Sequence, residues 1–235
     1  MKRIGLIGGM SWESSIEYYR IINQQIREAL GGVHSARSVM VSVDFGEIEK
    51  LQVEGKWDEA TQIMVRCAKD LEGAGADFVL ICTNTMHLMA KEVQEGIDIP
   101  LLHIADATAR AIQKAGLQSV GLLGTRFTME KDFYRGRLKT DHGLRVIIPD
   151  DDGRELVHRV IYDELVQGKI VQESREGYRA VIQSLLDAGA EGIILGCTEI
   201  GLLVKQDDVP LPVFDTMEIH ALAAVDAALG RYDLS

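Results

Sequence analysis

The chain has 235 residues, 46% of them hydrophobic, with 25 Lys and Arg against 36 Asp and Glu and a formal net charge of −11. An acidic surplus of this size leaves no basic face to dominate the surface, so neither nucleic acid nor a membrane surface is an expected partner. No apolar run approaches a bilayer span, the short apolar N-terminus soon meets Glu13, and three scattered cysteines offer no disulfide framework and no metal-ligand spacing, so a cytoplasmic protein without a metal is expected.

Lys2–Gly8 reads as a first strand, and Gly8-Gly9-Met10-Ser11 as a loop whose Ser11 caps a helix running to about Leu30, where Gly31-Gly32 stops it. The opening IGLIGGM lacks the spacing of a dinucleotide fingerprint, because Ile7 and Met10 stand where glycines are needed. Its turn can expose backbone N–H groups to a carboxylate or simply be tight. Arg37–Val43 is a second strand, and the polar Asp44–Gly55, with Gln52, is expected to be an irregular flap. Trp57–Gly73 is an amphipathic helix in which Cys67 is a core thiol. A buried strand then ends in Cys82-Thr83-Asn84-Thr85, and Met86-His87 opens a helix to about Glu95. His87 reads as an acid, base or substrate ligand at a strand's carboxyl end, or as a structural histidine bonded to backbone.

Leu101–His103 is expected as a short strand and Asp106–Ala115 as a helix. Ser119–Leu123 is the next strand, followed by a loop, Gly124–Thr128, in the place that Gly8–Trp12 holds earlier. In that loop Thr125 and Thr128 are candidate carboxylate donors, and Arg126 is either an ion-pair partner for substrate or a solvated charge beside Glu130. Leu144–Ile148 is a strand, Pro149–Gly153 an acidic turn, and Arg154–Gln167 and Val171–Ala188 are helices broken at Gly168. Gly192–Leu195 is a strand leading into Gly196-Cys197-Thr198-Glu199; Leu211–Phe214 is the last strand and Met217–Leu229 the closing helix.

Segments in the two halves echo one another. GADFVLICTNT from Gly75 matches GAEGIILGCTEI from Gly189, IGLIG matches VGLLG, and Ile99-Pro100-Leu101 matches Val209-Pro210-Leu211. Three echoes in one order indicate a duplicated α/β unit. The expected fold is two pseudo-symmetric domains, each a parallel sheet flanked by helices, with a site at the domain interface. Residues 1–103 plus 214–235 form one domain and 104–213 the other. The alignment sets Cys197 opposite Thr83, with Cys82 opposite Gly196. Taken alone, Cys197 reads equally as a small core thiol and as a thiol whose pKa is lowered by helix N-terminal N–H groups. Paired with Thr83, it suggests an acid/base group on each side of one carbanion, the arrangement that stereoinversion requires.

The segments Asn84-Thr85-Met86-His87 and Gly196-Cys197-Thr198-Glu199, with the opening Ile4–Met10, resemble the cofactor-independent aspartate/glutamate racemases over essentially the whole chain. The resemblance implies catalysis by Thr83 and Cys197, no pyridoxal phosphate, a small acidic amino acid as substrate and a homodimer. It also places Met10, Ser11, Gln52, Asn84, Thr85, Thr125, Thr198 and Glu199 around the substrate. The family usually carries a cysteine at the position of Thr83, so the chain resembles the bacterial L-aspartate/glutamate-specific racemases with a Thr/Cys pair. Neighbouring strand residues face opposite ways, so Cys82 cannot stand in for Thr83. Cys197 is then the base toward the L-isomer, and turnover from the D-isomer is expected to be slow. The alternatives are a single-cysteine decarboxylase, a cis–trans isomerase of a dicarboxylate, or a non-catalytic amino-acid-binding protein.

Overall fold

Five residues, Ile4–Gly8 (β1), are buried along their whole length and pair in parallel with Ser38–Ser42 (β2) on one side and Phe78–Ile81 (β3) on the other. A strand buried on both faces has no need of alternation, which is why IGLIG and FVLI read as continuous apolar runs. The computed structural model describes residues 1–234. Among them the chain divides into two compact units, one of residues 1–104 and 220–234, the other of residues 105–219.

In the first unit the sheet order is β2-β1-β3. Helix Trp12–Leu30 (α1) buries Tyr18, Ile22 and Ile26, spaced one turn apart, and is capped by the Ser11 hydroxyl. Gly9 sits at φ +94, and a Cβ there would lie 2.2 Å from the Val43 carbonyl oxygen, so only glycine makes this turn. Residues 44–55 do not form the irregular flap expected from their polarity. Phe45–Val53 (α2) is a helix, with Asp44 capping it through Gly46 N–H and Ile48 and Gln52 buried one turn apart. Helix Trp57–Gly73 (α3) buries Met64, Cys67 and Leu71. Beyond β3 a 3₁₀ turn, Thr85–Met89, precedes helix Ala90–Glu95 (α4), in place of one continuous helix. The strand expected at Leu101–His103 shrinks to a single parallel bridge between Val79 and Leu101.

The second unit begins within helix Ile104–Lys114 (α5). Its sheet is built from Ser119–Gly124 (β4), Arg145–Ile147 (β5), Gly192–Gly196 (β6) and Val213–Asp215 (β7), in the order β5-β4-β6-β7 and all parallel. This repeats the first unit's order, with the Val79–Leu101 bridge holding the place of the β6–β7 pair. Helix Arg126–Glu130 (α6) replaces the expected loop, and helix Asp132–Thr140 (α7), which buries Tyr134 and Leu138, was not anticipated from sequence. The expected acidic turn is a helix start: Asp150 caps Asp151–Asp163 (α8) through Gly153 N–H. Helix Gln172–Asp187 (α9) follows the left-handed Gly168. A four-residue helix, Ile200–Leu203 (α10), follows β6. Helix Thr216–Ala228 (α11) closes the chain. β7 pairs with β6, and the chain returns to the first unit at His220.

Candidate functional site

The candidate residues gather at the carboxyl ends of the parallel strands, where peptide dipoles and loop freedom favour ligand binding. In the first unit Met10 and Ser11 follow β1, and Thr83, Asn84 and Thr85 follow β3, its neighbour. Gln52 reaches the same end from α2, its Nε2 donating to Met86 Sδ at 3.2 Å. Met10, Ser11, Gln52, Asn84 and Thr85 are buried, whereas Thr83 is the one partly accessible residue between Phe78 and His87. Among the described residues its hydroxyl makes no hydrogen bond, while its carbonyl accepts from His87 Nδ1 at 2.7 Å. The β1–α1 turn is less open than its glycines suggest, since Gly9 N–H donates to Ser15 Oγ at 2.8 Å.

In the second unit Thr125 and Cys197 each stand one residue beyond Gly124 and Gly196, which pair across β4 and β6. A Cβ on Gly196 would lie 2.8 Å from the Leu123 carbonyl oxygen, so the strand ends can approach this closely only with glycine there. Thr125 caps α6 as Ser11 caps α1, and the hydroxyl pairs Ser11–Ser14 and Thr125–Thr128 are both 3.2 Å apart. The duplication thus extends to the two caps. Arg126 starts α6, but its guanidinium is drawn to Glu155, with both side chains largely exposed. Glu130 is bonded instead by Arg154.

Cys197 is the one partly accessible residue in the otherwise buried run from Gly192 to Ile200. Its Sγ donates to Glu199 Oε2 at 3.0 Å, and the Thr198 hydroxyl donates to the same oxygen at 2.7 Å. The expectation of a lowered thiol pKa is overturned. Burial, the Glu199 charge and the thiol–carboxylate hydrogen bond push it well above the ordinary cysteine value, outweighing the Glu199 and Thr198 backbone N–H groups that pull it down. A helix of only four residues supplies few aligned peptides against an adjacent carboxylate. The other two thiols are buried, and burial raises the pKa of each.

Two further residues escaped the sequence reading. Tyr178, fully buried on α9, donates to the Val157 carbonyl at 3.1 Å; burial, then Cys197 and Glu164, raise its pKa. It lies in an ordinary helical core pattern with Val181, Ile182 and Leu185, so no signal marked it. His220 bonds Tyr18 and Leu102 inside the first unit, a contact spanning most of the chain's length. Among the described residues no cluster of three His, Cys, Asp or Glu is disposed to hold a metal, and no helix is long and apolar enough to cross a membrane.

Residues 7–224 match the Asp/Glu/hydantoin racemase family, and the chain belongs to it. A solved structure of a candidate Asp/Glu racemase from Yersinia pestis is 55% identical with a TM-score of 0.92, covering 97% of this chain and all of that one. An aspartate racemase homologue from Pyrococcus horikoshii is 37% identical with a TM-score of 0.84, again over 97% of this chain and all of that one. The broad-specificity amino-acid racemase RacX of Bacillus subtilis is 25% identical over 73% of this chain and 74% of its own. The two-sheet α/β fold is shared with the structure of a Francisella tularensis glutamate racemase, at 14% identity and a TM-score of 0.66, over all of this chain and 84% of that one.

Proposed function

We propose that the chain racemises an acidic amino acid, aspartate or glutamate, without a cofactor, using Cys197 as base toward the L-isomer and Thr83 as proton donor to the opposite face. The observation that carries this reading is the equivalence of the two positions. Each lies just past a fully buried strand, each is the accessible residue in a buried run, and each is followed by buried polar residues. Two halves of a duplicated unit thus offer one acid/base group apiece, which suits a reaction that must remove a proton from one face of Cα and return one to the other. Family membership and relatives described as aspartate and amino-acid racemases support the same reading.

Cys197 thiolate takes the Cα proton, and the electron pair left behind delocalises into the α-carboxylate. Thr83 then gives its hydroxyl proton to the other face and is reprotonated from water. Buried polar groups at the strand ends, from Ser11, Asn84, Thr85, Thr125 and Thr198, hold the substrate, N–H and hydroxyl groups donating to its carboxylate and side-chain or backbone oxygens accepting from its ammonium. The test is Cα exchange in D2O, followed by proton NMR, with L- and D-aspartate and L- and D-glutamate given separately and no cofactor added. Exchange and inversion of an L-substrate are expected. Exchange of none of the four would sink the reading and favour a decarboxylase, a dicarboxylate isomerase or a binding protein.

Glu199 answers the problem of the raised thiol pKa. With Sγ–H donating to Oε2 at 3.0 Å, transfer to the carboxylate forms the thiolate without changing the charge of the pair. The rate should therefore follow bulk pH only weakly. Glu199→Gln removes the carboxylate that can take the thiol proton, and with it the negative charge that raises the thiol pKa, while leaving an amide oxygen in its place. L-glutamate exchange at pH 7 should fall about 100-fold and then climb about tenfold per pH unit until the thiol ionises. Parallel pH–rate profiles for the two proteins between pH 6 and 9 would rule this role out.

A further inference from the structure

We infer that His87 is a positioning residue for Thr83, holding the strand-end backbone so that the Thr83 hydroxyl stays aimed at the reacting carbon; this rests on the racemase reading. His87 is buried in the first unit, and both ring nitrogens are committed to backbone. Nε2 accepts the Ile104 N–H at 3.2 Å, so it carries no proton. Nδ1 meets the Thr83 carbonyl oxygen at 2.7 Å; a carbonyl can only accept, so Nδ1 carries the proton and donates. The neutral ring therefore has a fixed tautomer. An imidazolium could not accept from Ile104, and the opposite tautomer would lose both bonds.

The two bonds tie the end of β3 to the start of α5. The β3 ladder register ends at Ile81, the Cys82 N–H still reaches the Ile7 carbonyl at 2.9 Å, and the 3₁₀ turn begins at Thr85, so Thr83 lies in the short link between strand and turn. Its carbonyl is fixed instead to the first residue of α5, through a ring anchored on that turn by His87 N–H donating to the Asn84 carbonyl at 3.0 Å. The far side of the ring is braced as well. His103 lies edge-on with ring centres 4.5 Å apart, and His220 lies 5.9 Å away. His220 Nε2 donates to the Leu102 carbonyl at 2.9 Å, and its Nδ1 meets the Tyr18 hydroxyl at the same distance. Leu102 and Ile104 are thus held on either side of His103, by His220 and His87. In the second unit Gly201 stands four residues past Cys197, where His87 stands four past Thr83, and there Glu199 bonds the thiol itself. A hydroxyl is a poorer proton donor to carbon than a thiol, so its aim matters more.

The test compares His87→Asn, whose amide occupies the Nδ1 position and can donate to Thr83, with His87→Gln, whose amide occupies the Nε2 position and can accept from Ile104. Each is given L-glutamate and L-aspartate in D2O. Deuterium incorporated with retention reports Cys197, and conversion to the D-isomer reports delivery by Thr83. His87→Gln should lower the ratio of inversion to exchange about tenfold while exchange itself stays within about threefold, and His87→Asn should restore the ratio to within about threefold of the wild type. An unchanged ratio in both, whatever happens to Tm, or an equal loss in both, would overturn the inference. A second arm does not depend on activity. Long-range proton–nitrogen NMR of the wild type should show His87 protonated on Nδ1 alone, and a proton on Nε2 overturns it. Wild-type protein that exchanges no substrate would overturn the racemase reading, and the tautomer would then decide the placement of His87 by itself.

Discussion

Replacing Cys197 by alanine is expected to lower Cα deuterium incorporation into L-aspartate and L-glutamate by three to four orders of magnitude, the upper range for loss of a general base. Cys67 and Cys82 are buried and their thiols are raised in pKa by that burial, so neither can meet a substrate or ionise readily. Cys197 also has a raised pKa, but its cause includes a removable one: a carboxylate 3.0 Å away that accepts its proton. A thiolate made beside its own acceptor can be a strong base toward carbon without being abundant at rest. The fold should tolerate the change, because Thr198 keeps the Glu199 oxygen occupied at 2.7 Å. Thermal unfolding should confirm this, with Tm close to that of the wild type. Cys67→Ala and Cys82→Ala serve as controls that keep exchange. If Cys197→Ala retained exchange within tenfold of the wild type, the base would lie elsewhere.

What the sequence made legible follows from which forces act locally. The fully buried strands β1, β3, β4 and β6 could be read because burial on both faces imposes apolar runs, and α3 because its buried positions recur each turn. Helix α2 was hidden by its composition: only Ile48 and Gln52 are buried, and a buried glutamine does not enter an apolar count. Its one local signal was Asp44, a cap two residues before Gly46. Helix α7 was missed for a similar reason. It buries two side chains, and its Arg137 is held by Asp106, 31 positions away.

The site divides along the same line. The equivalence of Thr83 and Cys197 is a matter of register, and register survives in sequence. The direction of the Cys197 pKa shift does not, because it depends on burial of the thiol in the fold and on the Glu199 carboxylate lying against it. His87 stood out by position, but its partner Ile104 lies 17 residues on, and only the fold brings that amide to the ring. Arg126 stood out by charge, and the fold assigns that charge to Glu155.

If Thr83 and Cys197 are the two acid/base groups of a racemase, Thr83→Cys should make them chemically alike, and the effect has to be sought in the right quantity. L- and D-isomers have equal free energy, so kcat/KM must be the same in both directions whichever residues act. Slow turnover from the D-isomer therefore means a low kcat matched by a low KM, or slow exchange of the D-isomer with retention. That last process isolates Thr83, since it requires the hydroxyl side to remove a proton and put a deuteron back. A threonine alkoxide is almost never populated at neutral pH, whereas a cysteine is a few per cent thiolate there. D-isomer exchange with retention should accordingly rise by 100-fold or more in Thr83→Cys, on the order of the contribution of a general base. The partly accessible position and the unbonded hydroxyl leave room for sulfur without repacking the buried Cys82 beside it. Inversion per exchange of the L-isomer should rise too, because a thiol protonates the carbanion before Cys197 can return its deuteron. The ratio of D- to L-isomer kcat should move toward one. A ratio unchanged by the substitution, with D-isomer exchange still at background, would mean that Thr83 does not face the reacting carbon, and the reading of two acid/base positions from a duplicated unit would fall with it.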